Sequence, residues 1–309
     1  MSQSSRYAFL GPAGTFTEAA LLALPGAASL QGVPFPSVPA AFDAVRSGDC
    51  EAAVAAMESS VEGAVTATMD DLASGEQLMI VREVLLPISF ALLVRPGTTL
   101  ESVKTVSSHP VAEPQCRRWL AEHLPEVRWE AAASNAEAAR QVHEGVYDAA
   151  LAGAFTAARY GLEVLHDAIH DNLGAQTRFV LVTRPGKPTA PTGLDKTSIT
   201  VGLRDNHPGE LMEILEEFAG RGVNLCRIES RPTGQAMGRY YFFIDCEGHI
   251  QDERVAEALL GLRRNSTRLR FLGSYPRADG QAPSVRAGTT DAEFVAAREW
   301  LSAVRGGHR

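Results

Sequence analysis

The chain has 309 residues, of which 45% are hydrophobic, a share ordinary for a globular protein and a length that suggests two domains. A formal net charge of −8 with no lysine or arginine tract argues against general nucleic-acid binding or an anionic membrane surface. No apolar stretch approaches a membrane span, the N-terminus has no signal-peptide core, and Cys50, Cys116, Cys226 and Cys246 are too scattered for a zinc site or a disulfide framework, so a cytoplasmic protein with reduced thiols is expected.

In chain order, Tyr7-Ala8-Phe9-Leu10 is a short apolar run that breaks into Gly11-Pro12-Ala13-Gly14. Thr15 and Glu18 then have capping-box spacing at the start of a helix rich in alanine and leucine. Strand, glycine loop and helix start in that order can present amides to an anion, although the spacing is not a dinucleotide fingerprint. A helix over residues 40–46 is stopped by Gly48, and a strand follows over 52–57. Ser59 and Glu62, within Glu58-Ser59-Ser60-Val61-Glu62-Gly63-Ala64-Val65, repeat the capping spacing ahead of a helix with Val65, Met69 and Leu72 on one face. Strands are expected over 78–86 and 89–94. Thr105-Val106-Ser107-Ser108-His109-Pro110 predicts a strand entering a helix capped by Ser108 or His109. Ser134 and Glu137 make another capping pair, Gly145 ends that helix, a small-residue strand spans 148–153, and a short helix over 154–160 stops at Gly161.

This alternation argues an α/β fold of two lobes, with polar loops gathered at the carboxyl ends of parallel strands. His166 and His170 would suit a metal on a helix, but their segment has a loop pattern, so no metal is expected. The loop Asp171-Asn172-Leu173-Gly174 then leads into the apolar run Phe179-Val180-Leu181-Val182, a buried strand with Thr177 and Arg178 at its mouth. A hydroxyl and a guanidinium held on rigid backbone beside an aromatic ring suit an anionic, ring-bearing substrate. Residues 185–193, rich in proline and glycine, predict an interdomain linker. Beyond it come a strand over 197–203, a helix from Pro208-Gly209-Glu210-Leu211 with Leu211, Leu215 and Phe218 inward, and strands over 223–232 and 239–246. A helix over 252–264 with Val255, Leu259 and Leu262 inward and a strand over 268–275 complete a βαββαβ, ferredoxin-like order that leaves one sheet face to pair. Residues 277–289 look flexible, and 291–304 form a weak amphipathic helix through Phe294, Leu301 and Val304.

Together these motifs resemble the monofunctional prephenate dehydratases over residues 7–276. Gly11-Pro12-Ala13-Gly14-Thr15-Phe16 matches the family's G-P-x-G-T-F, and residues 58–65 match E-N-S-x-x-G-x-V with serine for asparagine at Ser59. Ser108-His109-Pro110 matches S-H-P, and Thr177-Arg178-Phe179 matches the T-R-F motif that the resemblance makes catalytic. Pro208-Gly209-Glu210-Leu211-Met212 stands where the family has P-G-A-L-V, and Glu229-Ser230-Arg231-Pro232 matches E-S-R-P; these mark an ACT domain that senses phenylalanine.

The resemblance implies a two-lobed α/β catalytic domain like type II periplasmic binding proteins over residues 1–185, with lobe A about 1–77 and 166–185 and lobe B about 78–165. A linker over 186–195, an α+β ACT domain over 196–276 and a tail over 277–309 would follow. Some relatives carry a chorismate mutase in front; this chain starts at its first strand, so none is expected. The implied reaction is the decarboxylating dehydration of prephenate to phenylpyruvate, which needs no cofactor, with phenylalanine as allosteric ligand and a homodimer or homotetramer formed through the ACT domain. The resemblance assigns Thr177 to the leaving hydroxyl, Arg178 to carboxylate binding or to fixing the loop, and Phe179 to the ring wall or the core behind it. Thr15, Phe16, Glu58, Ser59, Ser60, Gly63, Ser108, His109 and Asn172 are the expected substrate contacts, with Glu58 or His109 as proton source. Pro208, Gly209, Glu210, Leu211, Asn224, Leu225, Glu229, Ser230, Arg231 and Pro232 are the expected phenylalanine site, at which Glu210 would repel a carboxylate unless it turns outward or meets the ligand's ammonium group. Arogenate dehydratase, a non-catalytic amino-acid sensor and a solute-binding protein are the competing readings; the last would need export, for which no signal is seen.

Overall fold

Among the described residues the strands form three sheets, and the first two take their order from the apolar runs separated by polar loops. The computed structural model describes residues 5–203, 207–234 and 239–307. The chain divides into two units, Met1–Thr68 with Val84–Leu181, and Met69–Glu83 with Val182–Arg309.

The first sheet is built from β1 (Ser5–Leu10), β2 (Leu30–Phe35), β3 (Ala52–Ser59), β4 (Gly63–Ala64), β5 (Met79–Pro87) and β11 (Gln176–Thr183), in the order β2-β1-β3-β11-β5 with β4 on β3. Strand β1 is parallel to both β2 and β3, so the loops after β1 and β3 leave from one edge. The intervening helices are α1 (Phe16–Leu22), α2 (Val38–Ser47) and α3 (Thr66–Ser74). Helix α2 shows why this sequence is helical: Ser37 caps its start, Ala41, Phe42 and Val45 bury one face, and Gly48 ends it in the left-handed region.

The second sheet runs β10-β6-β9-β7-β8, from β6 (Ala91–Val94), β7 (Thr105–Ser108), β8 (Arg128–Ala131), β9 (Ala149–Ala152) and β10 (Glu163–His166). Helices α4 (Arg117–His123), α5 (Asn135–His143) and α6 (Thr156–Tyr160) cover it. One core lies under Leu92, Val94, Val106 and Leu151, and another under Leu93, Ala139, Val142 and Ala150.

Sequence pattern and structure differ at three kinds of place here. Strands β2, β8 and β10 were not anticipated: β2 contains Gly32 and Pro34, which interior strands avoid and an edge strand accepts. The helix expected at Ser59 begins only at Thr66, because Ser59 accepts from the amides of Val61 and Glu62 in a turn that leads into β4. The helix expected at His109–Pro110 is a turn, and α4 starts at Arg117.

In the second unit, β12 (Asp195–Gly202), α7 (Glu210–Ala219), β13 (Leu225–Pro232), β14 (Tyr240–Glu247), α8 (Glu253–Asn265) and β15 (Arg268–Pro276) form an antiparallel sheet in the order β13-β14-β12-β15. Its core joins Ile199, Val201, Ile214, Phe218, Ile244, Val255 and Leu262. The inward face of α7 is Glu210, Ile214 and Phe218; Leu211 faces solvent and Leu215 is half-buried, a rotation from the expected stripe. Helix α9 (Asp291–Arg305) has a full capping box at Thr290 and Glu293 but buries no residue. The stretch before it is anchored, since Arg277 reaches both Glu247 and Asp279.

Gly273 sits where the β12–β15 register shifts, at a φ of +146°, and a Cβ there would lie 2.0 Å from the Ile80 carbonyl oxygen. Such backbone is open to glycine alone. Gly273→Ala is therefore expected to destabilise the fold by at least about 1–3 kcal/mol, read as a lower midpoint in chemical denaturation; an unchanged midpoint would refute it.

Candidate active site

The loop after β1 is shaped by two close approaches. Gly11 is needed because a Cβ would meet Pro34 at 2.8 Å, and Gly14, at φ +92°, is enclosed by Tyr160, Thr156 and Ala136. Tyr160 Oη and Thr156 Oγ1 each donate to a carbonyl of this loop, at Ala13 and Gly14, over 2.8 Å. A cleft of about 540 Å³ opens beside it, lined by Thr15, Phe16, Pro36, His109, Ser134 and Asn135 among others.

The expected amide nest at α1 is already occupied by protein. Thr15 Oγ1 accepts from the Glu18 amide and donates to the Leu10 carbonyl, while the Glu18 carboxylate accepts from the Gly14 amide. Thr15 thus shapes the loop as a cap as well as lining the cleft. Phe16 meets Phe90 and Phe155 edge-on at ring separations of 5.5 and 5.4 Å, making one apolar wall.

The second cluster is a strand ladder. The Ser60 amide donates to the Gln176 carbonyl and the Gln176 amide to Ser60 Oγ, both at 2.9 Å, while an Arg178 Nη lies 3.6 Å from the Glu58 carboxylate. Strands β3 and β11 are neighbours in the sheet, and these contacts bring the Glu58–Ser60 segment and the start of β11, with Thr177 next to Gln176, side by side. The Arg178 side chain is only 6% exposed against 37% for Glu58, which favours loop fixing over direct substrate contact. Phe179 belongs to the core with Phe9, Leu21 and Val54, and is therefore the support behind the strand, not a ring wall.

The S-H-P segment separates its roles. Ser108 is fully buried, its hydroxyl accepting from Trp129 Nε1 and donating to the His109 carbonyl, so it is not exposed as an anion contact. His109 is held by Asn135, whose Oδ1 accepts the His109 amide at 2.8 Å. Burial lowers the His109 pKa from its usual value, which favours the neutral ring, and Nδ1 accepts from the Val111 amide, leaving the proton on Nε2. Asn172 is exposed and folds its side chain onto the Gly174 amide; Gly63 lies in β4 with open space around it. His166 packs against Trp119 while His170 Nδ1 accepts from the Phe90 amide, so the two histidines do not converge.

Sequence reasoning missed Asn135, Trp129, Thr156 and Tyr160, which hold the site from 21 to 147 residues away along the chain. No local pattern marks such partners; Asn135 looks like the residue after a helix cap.

In the ACT sheet, Gly202, Tyr241 and Arg231 lie on one rung, so the chain leading to Pro208 leaves from the end at which Ser230 to Pro232 stand. Residues 204–206 of that connection lie outside the described residues. Glu210 is turned into the domain interior, 6% exposed, beside Ile214, Leu262 and Ser266. Leu211 is solvent-facing. Asn224 and Leu225 stand at the start of β13 and Ser230 to Pro232 at its end, roughly 17–26 Å along the strand, so one chain does not bring all the expected ligand residues together. Among the described residues, no helix is long and apolar enough to cross a membrane.

Residues 7–187 match the family model for prephenate dehydratase, and residues 197–264 that for the ACT domain. The prephenate dehydratase of Mycobacterium tuberculosis is 46% identical over 310 residues, covering 98% of this chain and 94% of its own. That of Mycobacterium leprae is 44% identical over 311 residues, covering 98% and 95%. The crystal structure of prephenate dehydratase from Arthrobacter aurescens, in complex with L-Phe, superposes with a TM-score of 0.93 at 50% identity, covering 97% of this chain and 99% of that one. GqqA, described as a quorum-quenching acylase, has a TM-score of 0.78 at 30% identity over 88% of this chain and 97% of that one. With both family models in order along one chain and relatives matched over nearly its whole length, this chain belongs to the prephenate dehydratase family, as an enzyme of the lyase type with an ACT domain.

Proposed function

We propose that the chain converts prephenate to phenylpyruvate in the cytoplasm, as a homodimer or homotetramer joined through its ACT domains, and that phenylalanine inhibits it by binding there. The observation that supports this reading most is the contact of Ser60 with Gln176 and of Arg178 with Glu58, which brings the start of β11, where Thr177 lies, beside the Glu58–Ser60 segment. Prephenate is a dianion with a carboxylate and a hydroxyl at opposite ends of its ring. The carbon–carbon bond to the ring carboxylate breaks to release carbon dioxide, and its electron pair becomes ring π density. The opposite carbon–oxygen bond breaks, and the hydroxyl takes up one proton to leave as water. Aromatisation drives both cleavages.

Thr177 donates a hydrogen bond to the departing hydroxyl, where charge builds up in the transition state. Ser59 and Ser60 offer hydroxyls to a substrate carboxylate, and Arg178 with Glu58 holds the strand that carries them. His109, with its proton on Nε2, is a further side-chain donor that lines the cleft. In the ACT domain, the inward turn of Glu210 removes the anion that would have repelled a ligand carboxylate at the α7 start, which favours phenylalanine binding.

Purified protein supplied separately with prephenate and arogenate, in the presence of chelator, is expected to form phenylpyruvate from prephenate. Turnover of arogenate alone would make it an arogenate dehydratase; turnover of neither would defeat the reading.

A further inference from the structure

Helix α3 is fastened at both ends by different parts of the fold. Near its start, the buried Thr68 hydroxyl donates to the Ala56 carbonyl at 2.6 Å and the Val65 amide to the Met57 carbonyl at 3.0 Å, tying the helix to β3, which carries Glu58 and Ser59. From Met69 on, the helix belongs to the second unit, where four ACT-sheet residues grip it, among them Arg227, whose Nη2 donates to Met69 Sδ at 3.1 Å. Arg231 makes a two-pronged contact with the Asp70 carboxylate, Nε at 3.0 Å and Nη2 at 2.7 Å, and the Tyr241 hydroxyl donates to the same carboxylate at 2.9 Å. Arg231 and Tyr241 are partners across the β13–β14 ladder. Arg270 Nη1 donates to the Leu72 and Gly75 carbonyls, at 2.7 and 2.8 Å, where the helix runs out of internal partners.

Stability alone is a poor explanation for the Asp70 contact. Its side chain is 45% exposed and that of Arg231 21%, a setting in which ion pairs add little to folding. The fork geometry does add direction, because a guanidinium and a carboxylate with two parallel bonds resist rotation. Arg231 also belongs to the Glu229-Ser230-Arg231-Pro232 motif, so a ligand that displaces that strand end pulls on Asp70 first.

We propose that Asp70, gripped by Arg231 and Tyr241, is the positioning residue through which occupancy of the ACT ligand site is transmitted along α3 to the Glu58–Ser60 segment. This rests on the reading that phenylalanine binds the ACT domain and inhibits. Asp70 touches no substrate; it acts through the helix. Coupling of this kind changes affinity at the distant site by roughly 5- to 150-fold.

The test uses the full chain and compares it with Asp70→Asn, which keeps the side-chain size, and with Tyr241→Phe, which removes one hydroxyl and guards against a folding failure of the first variant. Phenylalanine binding is measured by calorimetry and prephenate turnover with and without saturating phenylalanine. Both variants are expected to bind phenylalanine within about threefold of the parent and to retain uninhibited turnover, while inhibition by phenylalanine drops about tenfold for Asp70→Asn and less for Tyr241→Phe. Asp70→Asn inhibited as strongly as the parent overturns the proposal. Loss of phenylalanine binding in that variant also overturns it, by making Asp70 part of the ligand site. A parent that does not bind phenylalanine, or binds without inhibition, defeats the regulatory reading itself and is told apart by needing no variant.

Discussion

Replacing Thr177 with valine is expected to lower kcat by about a hundredfold to a thousandfold while KM changes little. Valine is nearly isosteric and suits a strand, so β11 keeps its register beside β3 and the loss is confined to one hydroxyl. A hydrogen bond made mainly in the transition state is worth roughly 2.7–4 kcal/mol, and its removal appears in kcat and kcat/KM alike. Steady-state kinetics on prephenate decides the matter: a variant with parental kcat and a raised KM would make Thr177 a binding residue. Thr177→Ser, which keeps the hydroxyl, should recover most of the rate.

The largest expected loss of stability lies elsewhere, at Lys196→Met. Lys196 Nζ contacts both oxygens of Glu83 at 3.1 and 3.0 Å, with side chains 11% and 1% exposed. Removing the cation takes both of these bonds from a carboxylate in a dry site, while the Ala278 amide, at 2.9 Å, still donates to it. Breaking one side of such a pair costs about 3–5 kcal/mol, whereas replacing both partners by apolar groups of similar volume is often close to neutral. Lys196→Met should therefore lose that much in denaturant unfolding, and Glu83→Leu with Lys196→Met should regain most of it. A single variant within about 1 kcal/mol of the parent would mean that water reaches Glu83.

Much of the ACT fold was legible because its strands and α8 bury one face in a regular pattern: Val255, Leu259 and Leu262 recur at helical spacing and lie in the core. Helix α7 misled for a definite reason. Its inner stripe begins with Glu210, a residue whose charge argues for solvent, so the pattern through Leu211 and Leu215 looked better than the true one through Ile214. The edge strands escaped notice because β8 and β10, at four residues each, carry too little periodicity, and the six residues of β2 are interrupted by glycine and proline.

At the candidate site, local sequence was enough to single out Thr177, Ser59, His109 and the β1 loop, because turn chemistry and ordered motifs are written in consecutive residues. It could not tell which side chains face a substrate. Ser108 looked like Ser59 until Trp129 was seen covering it, and of the two roles open to Arg178, carboxylate binding or fixing the loop, its burial beside Glu58 favours the second. The sequence by itself determined most of the longer elements, the motif order and the family resemblance, all of which depend on spacing along the chain. Only the tertiary structure decided that Gln176, next to Thr177, meets Ser60 and that Asp70 meets Arg231, 161 residues away, since strand pairing and side-chain direction arise from packing between segments that share no local pattern.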